Sequence, residues 1–127
     1  MERKIILLAS AFGGIAVILG AFAAHGLKPL LSSSAIDSFG IAVRYQIYHA
    51  FLLFFIGLTN RLDSKQKRLI YYLVFVGVLL FSGSIYLLST NSLSTFDFKV
   101  IGFITPIGGL FLISGWAFLF IYTLINK

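Results

Sequence analysis

Four apolar runs, each long enough to cross a bilayer and separated by short polar stretches, constrain this chain more than any other feature. They cover about residues 5–27, 36–60, 69–89 and 100–125. A helix rises about 1.5 Å per residue, so roughly 20 apolar residues span a hydrocarbon layer about 30 Å thick. Inside that layer no water satisfies a free N–H or C=O, and a spanning segment of this length must be helical. The predicted fold is therefore all-α: one integral membrane domain, residues 1–127, a bundle of four transmembrane helices. Composition agrees. Of the 127 residues 59% are hydrophobic and 11% charged, against roughly 25% charged in soluble domains.

The first run follows the basic start Arg3-Lys4. Ala21-Phe22-Ala23 has the small-x-small form of a signal-peptidase site. Signal h-regions hold about 7–15 residues, fewer than this run, which reads as an uncleaved span. Gly26-Leu27-Lys28-Pro29 stops it, and Ser32-Ser33-Ser34 supplies caps for the next helix. Arg61 to Arg68 reads as a charged connecting loop, and Ser89 to Lys99 as a polar one. Thr105-Pro106 near the start of the fourth run predicts a kink around Ile104, because proline frees a backbone carbonyl.

Charge placement gives orientation. Arg3, Lys4, Arg61, Lys65, Lys67, Arg68 and Lys127 share one side of the membrane, against Lys28 and Lys99 on the other. The positive-inside rule then puts both termini in the cytoplasm, of a multi-pass protein of the plasma membrane. The net charge of +6 is spent on the ends of apolar runs. It serves orientation and contact with anionic lipid, so no nucleic-acid partner is expected.

Within the second run, Arg44-Tyr45-Gln46-Ile47-Tyr48-His49-Ala50 places a cation, an amide, an imidazole and two phenols in a lipid-buried segment. Polar groups at such depth are costly and must be paired or used. Counting along each helix brings others to a similar level, about 18–33 Å from the end that carries the termini. His25, Arg44, Tyr45, Tyr48, His49, Ser82, Ser84, Tyr86 and Thr105 form this candidate polar layer. On one reading it is structural: Arg44 pairs with Asp37 or Asp97, and hydroxyls bond between helices. On the other it lines a ligand pocket, where the Arg44 guanidinium suits a phosphate or carboxylate. Small residues mark close helix approach, notably Gly13 and Gly20 in the first run and Gly108, Gly109 and Gly115 in the fourth.

Enzymatic chemistry finds little footing. The chain has no cysteine, and no nucleophile–base set stands out among its serines. Asp37 and Asp97 sit near the membrane boundary, so no intramembrane carboxylate pair is available. His25 and His49 differ by about 13 Å in depth, too far apart to ligate one haem iron in a monomer, and no third ligand makes a zinc site with them. No metal or cofactor is expected, and the chain reads as no enzyme. The expected partners are membrane lipids and a second copy of the chain or another membrane protein. A non-enzymatic accessory role, organising the membrane or a membrane partner, leads; a binding or transport role for a small anionic or lipidic ligand stands against it.

Four segments together carry a resemblance: Gly20-Ala21-Phe22-Ala23-Ala24-His25-Gly26-Leu27, the Arg44–Ala50 stretch, Phe81-Ser82-Gly83-Ser84-Ile85-Tyr86, and Gly102-Phe103-Ile104-Thr105-Pro106-Ile107-Gly108-Gly109 with Gly115-Trp116. In this order they resemble the domain-of-unknown-function 423 family, the UPF0382 membrane proteins, to which transmembrane-protein-256-like proteins are related. The resemblance implies a small four-helix membrane protein. It implies no reaction, cofactor or catalytic residue.

Overall fold

A computed structural model describes all residues from Met1 to Lys127. It is helical throughout, with α1 over Glu2–Phe22, α2 over Ser33–Leu58, α3 over Ser64–Ser89 and α4 over Ile104–Ile125. A π-helical turn, Ala23–Leu27, extends α1, and two short 3-10 turns, Asn91–Leu93 and Phe98–Ile101, lie between α3 and α4. All four helices are long and apolar enough to cross a membrane.

Local chemistry sets the helix starts. Ser32 accepts the Ala35 N–H at 3.2 Å and caps α2. Asp63 accepts from Lys65 N and Gln66 N, both at 2.9 Å, while Gln66 Oε1 takes the Asp63 N–H at 3.1 Å. This reciprocal capping box nucleates α3 before its apolar run begins. Ser64 to Arg68 is therefore the first turn of α3 and not connecting loop, which corrects the sequence reading. A second correction concerns Pro106. The helix starts at Ile104, so Pro106 falls in its first turn, where its missing N–H would have had no partner inside the helix. The preceding residues Phe98–Ile101 take a 3-10 turn, so the fourth span is interrupted beside Ile104, just ahead of α4 rather than by a kink within it.

Three groups of contacts bring the termini and the α2–α3 connection to one end of the bundle. Lys67 Nζ lies 3.1 Å from Glu2 Oε1, joining the starts of α1 and α3. Asn126 Nδ2 donates to Gln66 Oε1 at 2.7 Å and to the Arg61 carbonyl at 2.9 Å, tying the end of α4 to the same place. The larger apolar core, with Ile5, Leu53, Ile56, Ile70 and Val74 wholly buried, occupies this half and the middle. A smaller cluster of Ala23, Leu27 and Phe39 fills the far end.

The helices pack in chain order, α1 on α2, α2 on α3 and α3 on α4. Small residues set the closest approaches. A Cβ on Gly108 would lie 2.7 Å from the Leu80 carbonyl carbon, and one on Gly77 would lie 2.6 Å from Leu112 Cδ2. The α3–α4 seam therefore runs backbone to backbone, as small residues allow in membranes. Outward, Ile18, Phe51, Leu58, Phe120 and Leu124 are each more than 65% exposed. On α3, Leu79 is 54% exposed, and such apolar exposure suits lipid as the surrounding solvent.

Candidate functional site

Helix α2 is the spine of the polar layer. One of its faces carries Ala42, Gln46, His49, Ala50 and Leu53, all buried, and another carries Arg44, Tyr45, Tyr48 and Phe51, all exposed. That single rotation of the helix separates the residues of the Arg44–Ala50 stretch into two environments.

The inward set is fully paired. Gln46 Nε2 donates to the Phe12 carbonyl of α1 at 2.8 Å, and Gln46 Oε1 accepts the Tyr86 hydroxyl of α3 at 2.6 Å. One amide thus links three helices. The Tyr86 ring packs on Phe39 with centroids 4.9 Å apart. Ser82, wholly buried, donates to the Ala42 carbonyl at 2.8 Å. Ser84 donates to the Phe81 carbonyl at 3.0 Å and pairs with the Thr105 hydroxyl, joining α3 to α4. His49 Nδ1 lies 2.6 Å from the Tyr45 carbonyl, and His49 Nε2 accepts the Trp116 indole N–H at 3.0 Å. A carbonyl only accepts, so the imidazole carries its proton on Nδ1. No buried side-chain nitrogen or oxygen lacks a partner.

The remaining residues of the predicted layer lie elsewhere. Tyr45 and Tyr48 are 41% and 51% exposed; the Tyr45 ring lies on Phe81 with centroids 5.1 Å apart. His25 is exposed on the π-helical turn, away from the paired set. Arg44 joins neither Asp37 nor Asp97. The two ion pairs of the protein are those of Glu2 with the N-terminal ammonium and with Lys67. No three His, Asp or Glu side chains converge as a metal site would require. Among the small residues, Gly115 receives Val74, whose Cγ2 would stand 3.1 Å from an added Cβ, and Gly109 lies in ordinary contact with the Phe81 ring. Gly20 faces Val43 and Gly13 faces Ala50 across the α1–α2 seam.

Arg44 instead borders a groove of about 420 Å³ between the end of α1 and the start of α2. Gly20, Ala23 and Ala24 form one wall, and Asp37, Gly40 and Arg44 the other. The guanidinium runs back along α2, with Nη1 3.3 Å from where a Gly40 Cβ would stand. Two functional contributions escape a reading by residue type. Gln46 belongs to the paired core although its neighbours Arg44 and Tyr45 do not, and Trp116 serves as a donor to His49. The spacing of Gln46 and His49, three residues apart on one helical face, is the only signal in the chain that could have grouped them.

The architecture and the paired interior define a small four-helix integral membrane protein. Comparison with known proteins agrees with that class. Residues 19–109 match the family model described as "Protein of unknown function (DUF423)". The chain is 39% identical over 121 residues to UPF0382 membrane protein SH2409 of Staphylococcus haemolyticus, covering 95% of each chain. It is 37% identical over 116 residues to a UPF0382 membrane protein of Haemophilus influenzae, covering 91% of this chain and 90% of the relative. With YwdK of Bacillus subtilis, also a UPF0382 membrane protein, it shares 35% identity over 116 residues, 90% of each. The chain belongs to the DUF423 family. No solved structure matches it.

Proposed function

We propose that this is a non-enzymatic accessory protein that acts through the surfaces it presents to the bilayer, organising lipid or a neighbouring membrane protein there. One observation carries the reading: every buried polar side-chain atom already has a partner within the protein. A solute path or an internal catalytic site needs polar groups left free to exchange partners, and His49, Gln46 and Tyr86 are committed to each other's helices. In this reading the polar layer is a framework that fixes which helix faces meet, as interhelical hydrogen bonds do at modest energy. The charge asymmetry supports a plasma-membrane orientation with both termini cytoplasmic.

The test is reconstitution of the full chain into liposomes loaded with inorganic phosphate, chloride or a pH dye. The expected result is no flux above that of empty vesicles. Flux of any of these that is abolished by His49→Asn or Arg44→Gln overturns the proposal in favour of a transport role.

A further inference from the structure

The groove beside Arg44 is the one place where the protein leaves charge unpaired at membrane depth. Arg44 lies eleven residues into α2, about 16 Å along the helix axis from Ser33. A 26-residue helix is about 39 Å long, so centring it on a 30 Å hydrocarbon layer puts the Arg44 backbone about 12 Å inside the boundary. A cation there is expensive and must reach the interface or a counter-charge. Its side chain turns towards the start of α2, to the level of Gly40, and so climbs about 6 Å. Gly40 has no side chain to obstruct it.

Asp37 stands on the same face, two turns from Arg44 and three residues beyond Gly40. The carboxylate and guanidinium do not meet, since neither takes part in an ion pair. The groove therefore offers a cation on its deeper side and an anion about 4.5 Å nearer the interface, taking the axial rise from Gly40 to Asp37. A bilayer lipid approaching from this leaflet presents its charges in the complementary order, phosphate beneath and ammonium above, joined by two carbons. A free phosphate or phosphatidylglycerol would satisfy Arg44 but bring no cation to Asp37. The wall of Gly20, Ala23 and Ala24 leaves room for the headgroup against α1. The π-helical turn at Ala23–Leu27 sits at that wall, and such turns commonly accompany functional sites.

We infer that this groove holds the headgroup of a zwitterionic phospholipid with a primary ammonium, the phosphate on the Arg44 guanidinium and the ammonium on the Asp37 carboxylate. Guanidinium forks match phosphate oxygens, and a primary ammonium carries three N–H donors for a carboxylate, which a trimethylammonium lacks. The inference rests on the reading that the protein works through its bilayer-facing surface, and it names the lipid class that the surface selects.

Native mass spectrometry of the full chain, exchanged in mild detergent with equal amounts of phosphatidylethanolamine, phosphatidylcholine and phosphatidylglycerol of matched acyl chains, tests it. The expected result is one tightly held lipid, with phosphatidylethanolamine favoured several-fold. Arg44→Gln lowers its retention about tenfold, the worth of one charged hydrogen bond. Asp37→Asn keeps a lipid but abolishes the preference over phosphatidylglycerol. Gly40→Leu, which fills the groove and crowds the guanidinium while keeping both charges, also releases the lipid, so a folding defect of the arginine variant does not end the test. Equal retention of the three lipids by the unaltered protein, or an Asp37→Asn preference unchanged from it, overturns the inference. Unselective lipid retention without solute flux leaves the accessory reading intact, whereas selective retention with flux overturns only that reading.

Discussion

The indole N–H of Trp116 on α4 points at Nε2 of His49 on α2, at 3.0 Å, and this bond assigns the role of each imidazole nitrogen. Nδ1 faces the Tyr45 carbonyl one turn back on the same helix, an acceptor only. Both nitrogens are thereby engaged, one within α2 and one across to α4. The indole is otherwise 48% exposed, and its ring meets the imidazole edge-on with centroids 6.0 Å apart. The contact is thus a latch at the bundle surface, where lipid offers no competing hydrogen bond.

Removing the donor while keeping an aromatic ring should isolate that latch. Trp116→Phe is expected to lower stability by about 1 kcal/mol, within the range of interhelical hydrogen bonds in membranes, as measured by denaturant titration in mixed micelles. Nitrogen-15 spectra of histidine-labelled protein should show His49 as the Nδ1–H tautomer before and after the substitution, because the Tyr45 carbonyl remains. The opposite tautomer in the unaltered protein would contradict the assignment.

Gln46 presents a different kind of coupling, because one amide serves two helices at once. The Phe12 carbonyl can only accept, which fixes the amide orientation and leaves Oε1 for the Tyr86 hydroxyl. Tyr86→Phe should cost about 1 kcal/mol, and Gln46→Leu about 1–3 kcal/mol because it strands the half-buried tyrosine hydroxyl. The double substitution removes the stranded group too, so its loss should be no greater than that of Gln46→Leu alone. Additive losses in the double-mutant cycle would mean the two side chains do not interact.

How much of this was legible beforehand follows from how membranes hide information. Length and hydropathy alone placed four helices, since lipid demands closed backbone hydrogen bonding. The polar residues announced themselves by contrast with Leu, Ile and Phe around them. Which way each faces was not legible. In water a helix marks its buried side by hydrophobicity; in lipid both sides of α2 are apolar, and rotation is set by packing against neighbours. Hence Arg44 and Gln46, two residues apart, could be placed at one depth but not separated into groove and core. The Asp63 capping box was hidden for another reason: Lys65, Lys67 and Arg68 made the first turn of α3 look like loop.

Lys67 shows that one of those charges is structural. Its side chain is 5% exposed while Glu2, its partner at 3.1 Å, is largely solvated. Glu2→Gln leaves a buried ammonium without its counter-ion and should lower the unfolding midpoint. Lys67→Met removes the buried charge and keeps the aliphatic stem, so combining the two should recover much of that loss, as replacing buried pairs by apolar groups often does. Thermal unfolding of the three variants in one detergent checks the order; a combined variant less stable than Glu2→Gln would refute it.

The glycines allow a comparison in which the same chemical change has opposite signs. Gly108 is held where an added Cβ would enter the backbone of Leu80 and Phe81, so no side-chain rotation can relieve the overlap and α3 and α4 must part. Gly108→Ala is expected to cost at least the 1–3 kcal/mol typical of overpacking and to disturb the Ser84–Thr105 pair that bridges the same two helices. Gly14, also within a helix, has nothing within 4 Å of a Cβ. Gly14→Ala should therefore stabilise α1 by about 0.5–1 kcal/mol through helix propensity alone. Gly109→Ala, with the Phe81 ring 3.6 Å from the new methyl, should fall between the two. Unfolding free energies of the three variants in mixed micelles give the ranking directly. Equal effects at positions 14 and 108 would mean that the α3–α4 seam is looser than this backbone-to-backbone contact requires.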